Sequence, residues 1–188
     1  MLEANIQITT VQNDQEILEI LELQKANLPV NLSKEEIESQ GFVTVIHNYE
    51  QLKEMNGFEK SVIAKSEGKV VGYCMAMNKE MGESIEVLKP LFNLLNKLTY
   101  QDKPLQDFKA IYVGQACIAA DFRGRGLLDK MYEKYKECFQ NKYDLVLTEI
   151  ALRNQRSLKA HQRIGFKIIH EYTAPNEEVW AVMVWDWS

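Results

Sequence analysis

Residues 118–128, IAADFRGRGLL, constrain this chain most. An apolar, β-rich stretch, AIYVGQACI, leads into them over 110–118. A long helical pattern leaves them from Leu127. The spacing therefore predicts a strand, a tight turn and a helix start. A helix start leaves backbone N–H groups unpaired at the positive end of its dipole, so it attracts phosphate. Gly124 and Gly126 let the backbone turn sharply and approach a ligand closely. Arg123 and Arg125 add planar cations suited to phosphate oxygens. Two glycines at a strand–helix turn, taken alone, mark only a turn. GxxxxGK[ST] is absent and no GxGxxG follows the strand, so neither of those nucleotide loops is present.

At 188 residues the chain is long enough for a real core, and 1–188 reads as one domain. With 46% apolar and 26% charged residues it has ordinary globular composition. A net charge of −5 argues against a general nucleic-acid binder. It suits a cationic amine substrate, and solubility equally. No apolar run reaches the roughly 18 residues of a membrane span, so no membrane partner is expected. The opening MLEANIQITT has neither the charged nor the apolar region of a signal peptide. Cys74, Cys117 and Cys138 are odd in number, far apart and outside any CxxC, which points to a reduced, cytoplasmic protein. His47, His161 and His170 are scattered without metal-ligand spacing, so no metal is expected.

Ile6, Ile8 and Thr10 suit a first strand. Asn13 with Glu16 and Ser33 with Glu36 are capping pairs, which predict helices ending at Pro29 and near Gly41. Residues 42–46 read as β-like, and 48–56 as a short helix closed by Gly57. Strands over 61–65 and 70–78 flank a hairpin turn at 66–69. Residues 79–108 read as one or two helical pieces interrupted by Pro90, with a loop through Lys103 and Pro104, an insert able to line a substrate pocket. Leu127, Leu128, Met131, Tyr132, Tyr135, Cys138 and Phe139 form an apolar face at helical spacing, so the two tyrosines are core residues first. A strand over 144–151, a helix over 154–164 closed by Gly165, and strands over 167–172 and 179–187 complete a mixed α/β sheet. Trp180, Trp185 and Trp187 suit a core or edge, or the face of a homodimer.

Four features stand in fixed order: the strand before the turn, Arg123-Gly124-Arg125-Gly126, the strand LVLTEIALRN, and the helix NQRSLKAHQRIGF. Together they resemble the GCN5-related N-acetyltransferase (GNAT) superfamily, most strongly over residues 110–172. Its phosphate signature is [QR]-x-x-G-x-[GA]; Arg123 to Leu127 fit it, and Leu128 stands where Gly or Ala is usual. The resemblance implies a single-domain, mostly antiparallel central sheet flanked by helices and splayed between its two central strands. It implies acetyl-CoA, or another acyl-CoA, as co-substrate. The pantetheine arm would pair with the strand edge at Gln115, Ala116, Cys117 and Ile118. The pyrophosphate would sit on the amides of Arg123, Gly124, Arg125, Gly126, Leu127 and Leu128, with Asn154 and Ser157 also binding the cofactor.

The implied chemistry is direct attack of a primary amine on the thioester, the amine carried by a small molecule or a protein. Glu149, five residues before Asn154, matches the family's base; as a carboxylate in an apolar strand, burial would raise its pKa toward a useful range. His161, four residues before Gly165, stands where the family usually has tyrosine, and is the acid candidate, since histidine donates a proton near neutrality. The alternative reading is a CoA-binding regulatory module with little or no catalysis.

Overall fold

The computed structural model describes residues 5–188; residues 1–4, part of the stretch read as lacking a signal peptide, lie outside them. The strands are β1 (Ile6–Thr10), β2 (Val62–Ser66), β3 (Lys69–Met77), β4 (Thr99–Tyr100), β5 (Lys103–Pro104), β6 (Ala110–Ile118), β7 (Leu145–Ala151), β8 (Lys167–Thr173) and β9 (Val179–Asp186). The helices are α1 (Asp14–Ala26), α2 (Lys34–Gln40), α3 (Tyr49–Phe58), α4 (Lys79–Ser84), α5 (Lys89–Leu95), α6 (Leu127–Phe139) and α7 (Gln155–Ile164). Seven strands form one sheet in the order β1-β2-β3-β6-β7-β9-β8. Every neighbouring pair is antiparallel except β6 and β7. No helix among the described residues is long and apolar enough to cross a membrane.

Alternation along the strands splits the apolar residues between two cores. Along β7, Leu145 and Leu147 join one core, while Val146 and Ile150 join the other. The first is closed by α1, α3 and α5 through Ile17, Ile20, Leu52, Met55, Leu91 and Phe92. The second is closed by α6 and α7 through Met131, Tyr132, Tyr135, Phe139 and Leu158. Tyr132 and Tyr135 are fully buried, as their helical spacing predicts.

The sheet opens at its centre. β6 and β7 pair only at Ala110–Tyr112 against Leu145–Leu147. The hydroxyl of Thr148 then donates to the carbonyl of Val113 at 3.1 Å. Past that point β6 is held by β3 and β7 by β9. The β3–β6 register shifts between Cys74, opposite Ala116, and Ala76, opposite Val113, so β6 carries an extra residue there. Such a bulge bends its strand and increases its twist. It lies where the two strands part.

Several boundaries differ from the expectations. Residues 42–46 are not a strand: the stretch is a strap without a partner strand, pinned by one backbone bond and by two side chains. Val43 N–H donates to Asn27 O (3.1 Å), Gln115 Nε2 to Val45 O (2.9 Å) and Asn154 Nδ2 to Phe42 O (3.2 Å). Helix α3 runs through Gly57 to Phe58, because Asn56 stays helical and accepts from Ser61 N–H at 2.8 Å, tying the helix to β2. Pro90 does not interrupt a helix but lies in the first turn of α5, where its missing N–H costs nothing. The loop at Lys103 and Pro104 is a two-residue hairpin, with Gln101 and Asp102 both at positive φ (48° and 61°).

Candidate active site

The turn after β6 forms as its glycines require. Gly124 and Gly126 lie at φ 72° and 71°, and nothing stands within 4 Å of where a Cβ would be on either. Gly126 is the N-cap of α6 and offers no side chain, so the first amides of α6 are left for an external acceptor. The turn borders a cleft of about 630 Å³ that α7 and the strap also line. Ala116, Cys117, Ile118, Arg123, Gly124, Gly126, Leu127, Leu128, Asn154, Ser157 and His161 all line it.

The Arg123 and Arg125 side chains both make contacts within the chain. The Arg123 guanidinium donates to Ile118 O at 3.0 Å and to Asn27 Oδ1, so it clamps the turn to the end of α1. Arg125 lies over the Phe122 ring, 5.4 Å from its centroid, and is not among the cleft's lining residues. Beside Arg123, the basic residues lining the cleft come from α7, as Arg156, Lys159 and Arg163. Sequence reasoning passed over this stripe, although its spacing puts it on one helical face. Arg163 also neutralises Asp129 in the first turn of α6, with bonds of 3.0 and 2.7 Å.

Asn154 caps α7 by accepting from Ser157 N–H at 3.3 Å. A Cβ on Gly41 would stand 2.8 Å from its Oδ1, so the strap passes close by because residue 41 is glycine. Gln115 is buried and points at the strap, with Tyr73 donating to its Oε1 at 2.6 Å. Its contribution to a ligand is therefore backbone, on the β6 edge that β7 leaves unpaired beyond Tyr112.

A second cavity, of about 70 Å³, fills the gap between β6 and β7. Glu149 and His161 both line it. Burial pushes the Glu149 carboxyl up to about 7, against the opposing effect of Tyr172, whose hydroxyl donates to Oε2 at 2.5 Å. Burial pushes His161 down to about 4. Its Nδ1 meets Ser157 O at 2.8 Å, and a carbonyl only accepts, so Nδ1 carries the proton. Its Nε2 accepts from the Tyr132 hydroxyl at 2.7 Å. The ring is thus neutral at pH 7, and the proton expected of it near neutrality is not there to give.

These groups set the pH dependence of stability. His47 is also buried, at about 4, with Nδ1 3.0 Å from Gln24 Oε1. Both histidines titrate near 6.5 when unfolded. Between 4 and 6.5 the unfolded chain binds more protons, so each contributes stability above 6.5 that falls away toward 4, by about 3 kcal/mol. Glu149 has the opposite sign: raised from 4.5 to about 7, its contribution is complete below 4.5 and lost as pH rises through 7. Two groups outweigh one, so urea-unfolding free energy is expected to rise from pH 4.5 to a maximum near 6.5, and His47→Gln to flatten that rise. A profile level across this interval in the unaltered protein would contradict two neutral buried histidines.

The sheet parts between two parallel central strands, with a glycine turn beside the cleft and a buried carboxylate in the gap. The Acetyltransferase (GNAT) family model matches residues 17–166, and the chain belongs to that family. No curated protein sequence matches it. Solved structures share the fold. The ribosomal-protein-S18-alanine N-acetyltransferase of Escherichia coli aligns with TM-score 0.62 at 9% identity, over 97% of this chain and 94% of that one. YncA of Salmonella typhimurium, solved with its cofactor acetyl-CoA, aligns at 0.64 and 10%, over 98% and 95%. An N-acetyltransferase from Staphylococcus aureus Mu50 aligns at 0.62 and 15%, over 98% and 100%. Among the described residues no group of three or more His, Cys, Asp or Glu is arranged to hold a metal ion.

Proposed function

We propose that the chain is an acetyl-CoA-dependent N-acetyltransferase, one domain over 1–188, in which a primary amine attacks the thioester carbonyl directly. The carrying observation is Glu149: a carboxyl near 7 in the gap between β6 and β7, with one oxygen tied to Tyr172. Its remaining oxygen is the proton acceptor for the incoming amine. The open edge of β6 at Gln115 to Ile118 offers amide and carbonyl groups to an extended pantetheine arm. The free amides from Gly124 to Leu128 and the α7 cations suit a pyrophosphate. Residues 116–118 and the α6 turn share one cleft with Asn154 and Ser157, which supports a single ligand running along them.

His161 enters this reading as a neutral group beside the thioester, locked by Tyr132 and Ser157. The attacking nitrogen must lose a second proton on forming the amide, and the departing thiolate can take it. Three unpaired thiols, Cys74, Cys117 and Cys138, suit a reducing cytoplasmic compartment.

The test is acetyl transfer across an amine panel as a function of pH. kcat/KM is expected to rise with pH through a midpoint near 7, as Glu149 loses its proton. Tyr172→Phe removes the hydrogen bond that favours the carboxylate, so that midpoint should move to higher pH while the folded protein persists. A purified, folded chain that neither binds acetyl-CoA nor acetylates any amine would sink the proposal.

A further inference from the structure

Resting on the acetyltransferase reading, we propose that the acceptor is a peptide α-amine whose first side chain is small and uncharged. Two cavities flank Glu149. The one of about 70 Å³ also touches Ala116, Ser157 and His161, the donor's side of the gap. The other, of about 40 Å³, lies beyond Glu149 and is walled by Met77, Leu88, Leu91, Tyr112, Leu147 and Trp180. Glu149 borders both, so an amine in the far cavity would meet the carboxylate and the thioester from opposite sides.

The lining of the far cavity restricts what enters it. Neither cavity has a lysine or arginine among its described lining residues, and Glu149 is the one acid. The Thr148 hydroxyl is already committed to Val113 O. A second positive charge on the acceptor would find no separate partner, which disfavours polyamines. A free carboxylate beside the amine would find no cation and would face Glu149, which disfavours free amino acids. A peptide carbonyl in that position is neutral. Size acts in the same direction: about 40 Å³ holds about three water-sized groups. A methyl or hydroxymethyl on the amine-bearing carbon fits, and an isobutyl group would have to displace Leu88 and Leu91. Proton transfer agrees. An α-ammonium near 7.8 hands its proton to a carboxylate near 7 on almost level terms, whereas an alkylammonium near 10.4 does so far uphill.

The experiment measures thiol release from acetyl-CoA by the full chain. Its acceptors are a tetrapeptide beginning with alanine, alaninamide, free alanine, a tetrapeptide beginning with leucine, Nα-acetyl-lysinamide and spermidine. The alanine tetrapeptide is expected to exceed the last four by about ten-fold or more in kcat/KM. Alaninamide matching it would assign a small-molecule source of the α-amine, and a large advantage for the tetrapeptide a polypeptide source. Leu91→Ala should favour the leucine tetrapeptide over the alanine one by about five-fold relative to the unaltered protein. Leu88→Ala is the second variant, for use if the first does not fold. Spermidine, Nα-acetyl-lysinamide or free alanine equalling the alanine tetrapeptide would overturn the proposal, as would an unchanged ranking in a folded leucine variant. Absence of acetyl-CoA binding by calorimetry, with no release for any acceptor, would overturn the acetyltransferase reading as well. Release with the wrong ranking would overturn this inference alone.

Discussion

Glu149→Gln is expected to lower kcat/KM for acetyl transfer by about a hundred-fold or more, with acetyl-CoA affinity nearly unchanged. Glutamine keeps the shape and the volume of the side chain. Its carbonyl oxygen still accepts from the Tyr172 hydroxyl, so the link from β8 to β7 across β9 persists. What it loses is the ability to take a proton. The carboxyl is pushed up to about 7 by burial, which puts it in the range where a base both is ionised and accepts protons readily. The rising limb of the pH profile should vanish with it. Steady-state rates beside a calorimetric titration decide the matter: turnover unaltered by the substitution would remove Glu149 from the mechanism.

Gly126→Asp should weaken acetyl-CoA binding by about a hundred-fold or more. Gly126 sits at φ 71°, and a Cβ there would meet nothing within 4 Å. Aspartate and asparagine are the side chains that best tolerate this left-handed conformation, so the turn survives. The added carboxylate would stand at the start of α6, where the proposed phosphates approach. Like charges a few ångströms apart repel strongly where water is thin. Gly126→Asn places the same shape without the charge and should cost only a few-fold. Equal losses for both variants, or none for aspartate, would move the phosphates away from this turn.

Much of the site was legible because local chemistry fixes it. The RGRG turn needs its glycines at positive φ, and both adopt it. Asn154 and Gly165 bracket α7 as N-cap and C-cap, and an apolar stripe marks the buried face of α6. Glu149 stood out as a charge within an apolar strand, and burial gives it the raised pKa expected of such a carboxyl. The less legible parts depend on distant partners. Nothing local distinguishes Arg123 from Arg125, yet the end of α1 engages the first through Asn27. His161 reads as a neutral-pH acid by residue type, but burial keeps it neutral, and Tyr132 and Ser157 fix which nitrogen holds the proton. Tyr172 carries no motif at all; it reaches Glu149 from β8, across β9.

The sequence by itself determined most of the elements and their order, the glycine turn before α6, and the family to which the chain belongs. Those follow from periodicity, capping and backbone freedom, each set within a few residues. Tertiary structure alone decided where β6 and β7 part, since Thr148, β3 and β9 act there from different stretches of chain. It also decided that 42–46 would be a strap, because Asn27, Gln115 and Asn154 supply bonds that a partner strand would otherwise give. The protonation of Glu149 and His161 belongs to this second group. Burial sets it, and burial is a property of the whole packed chain.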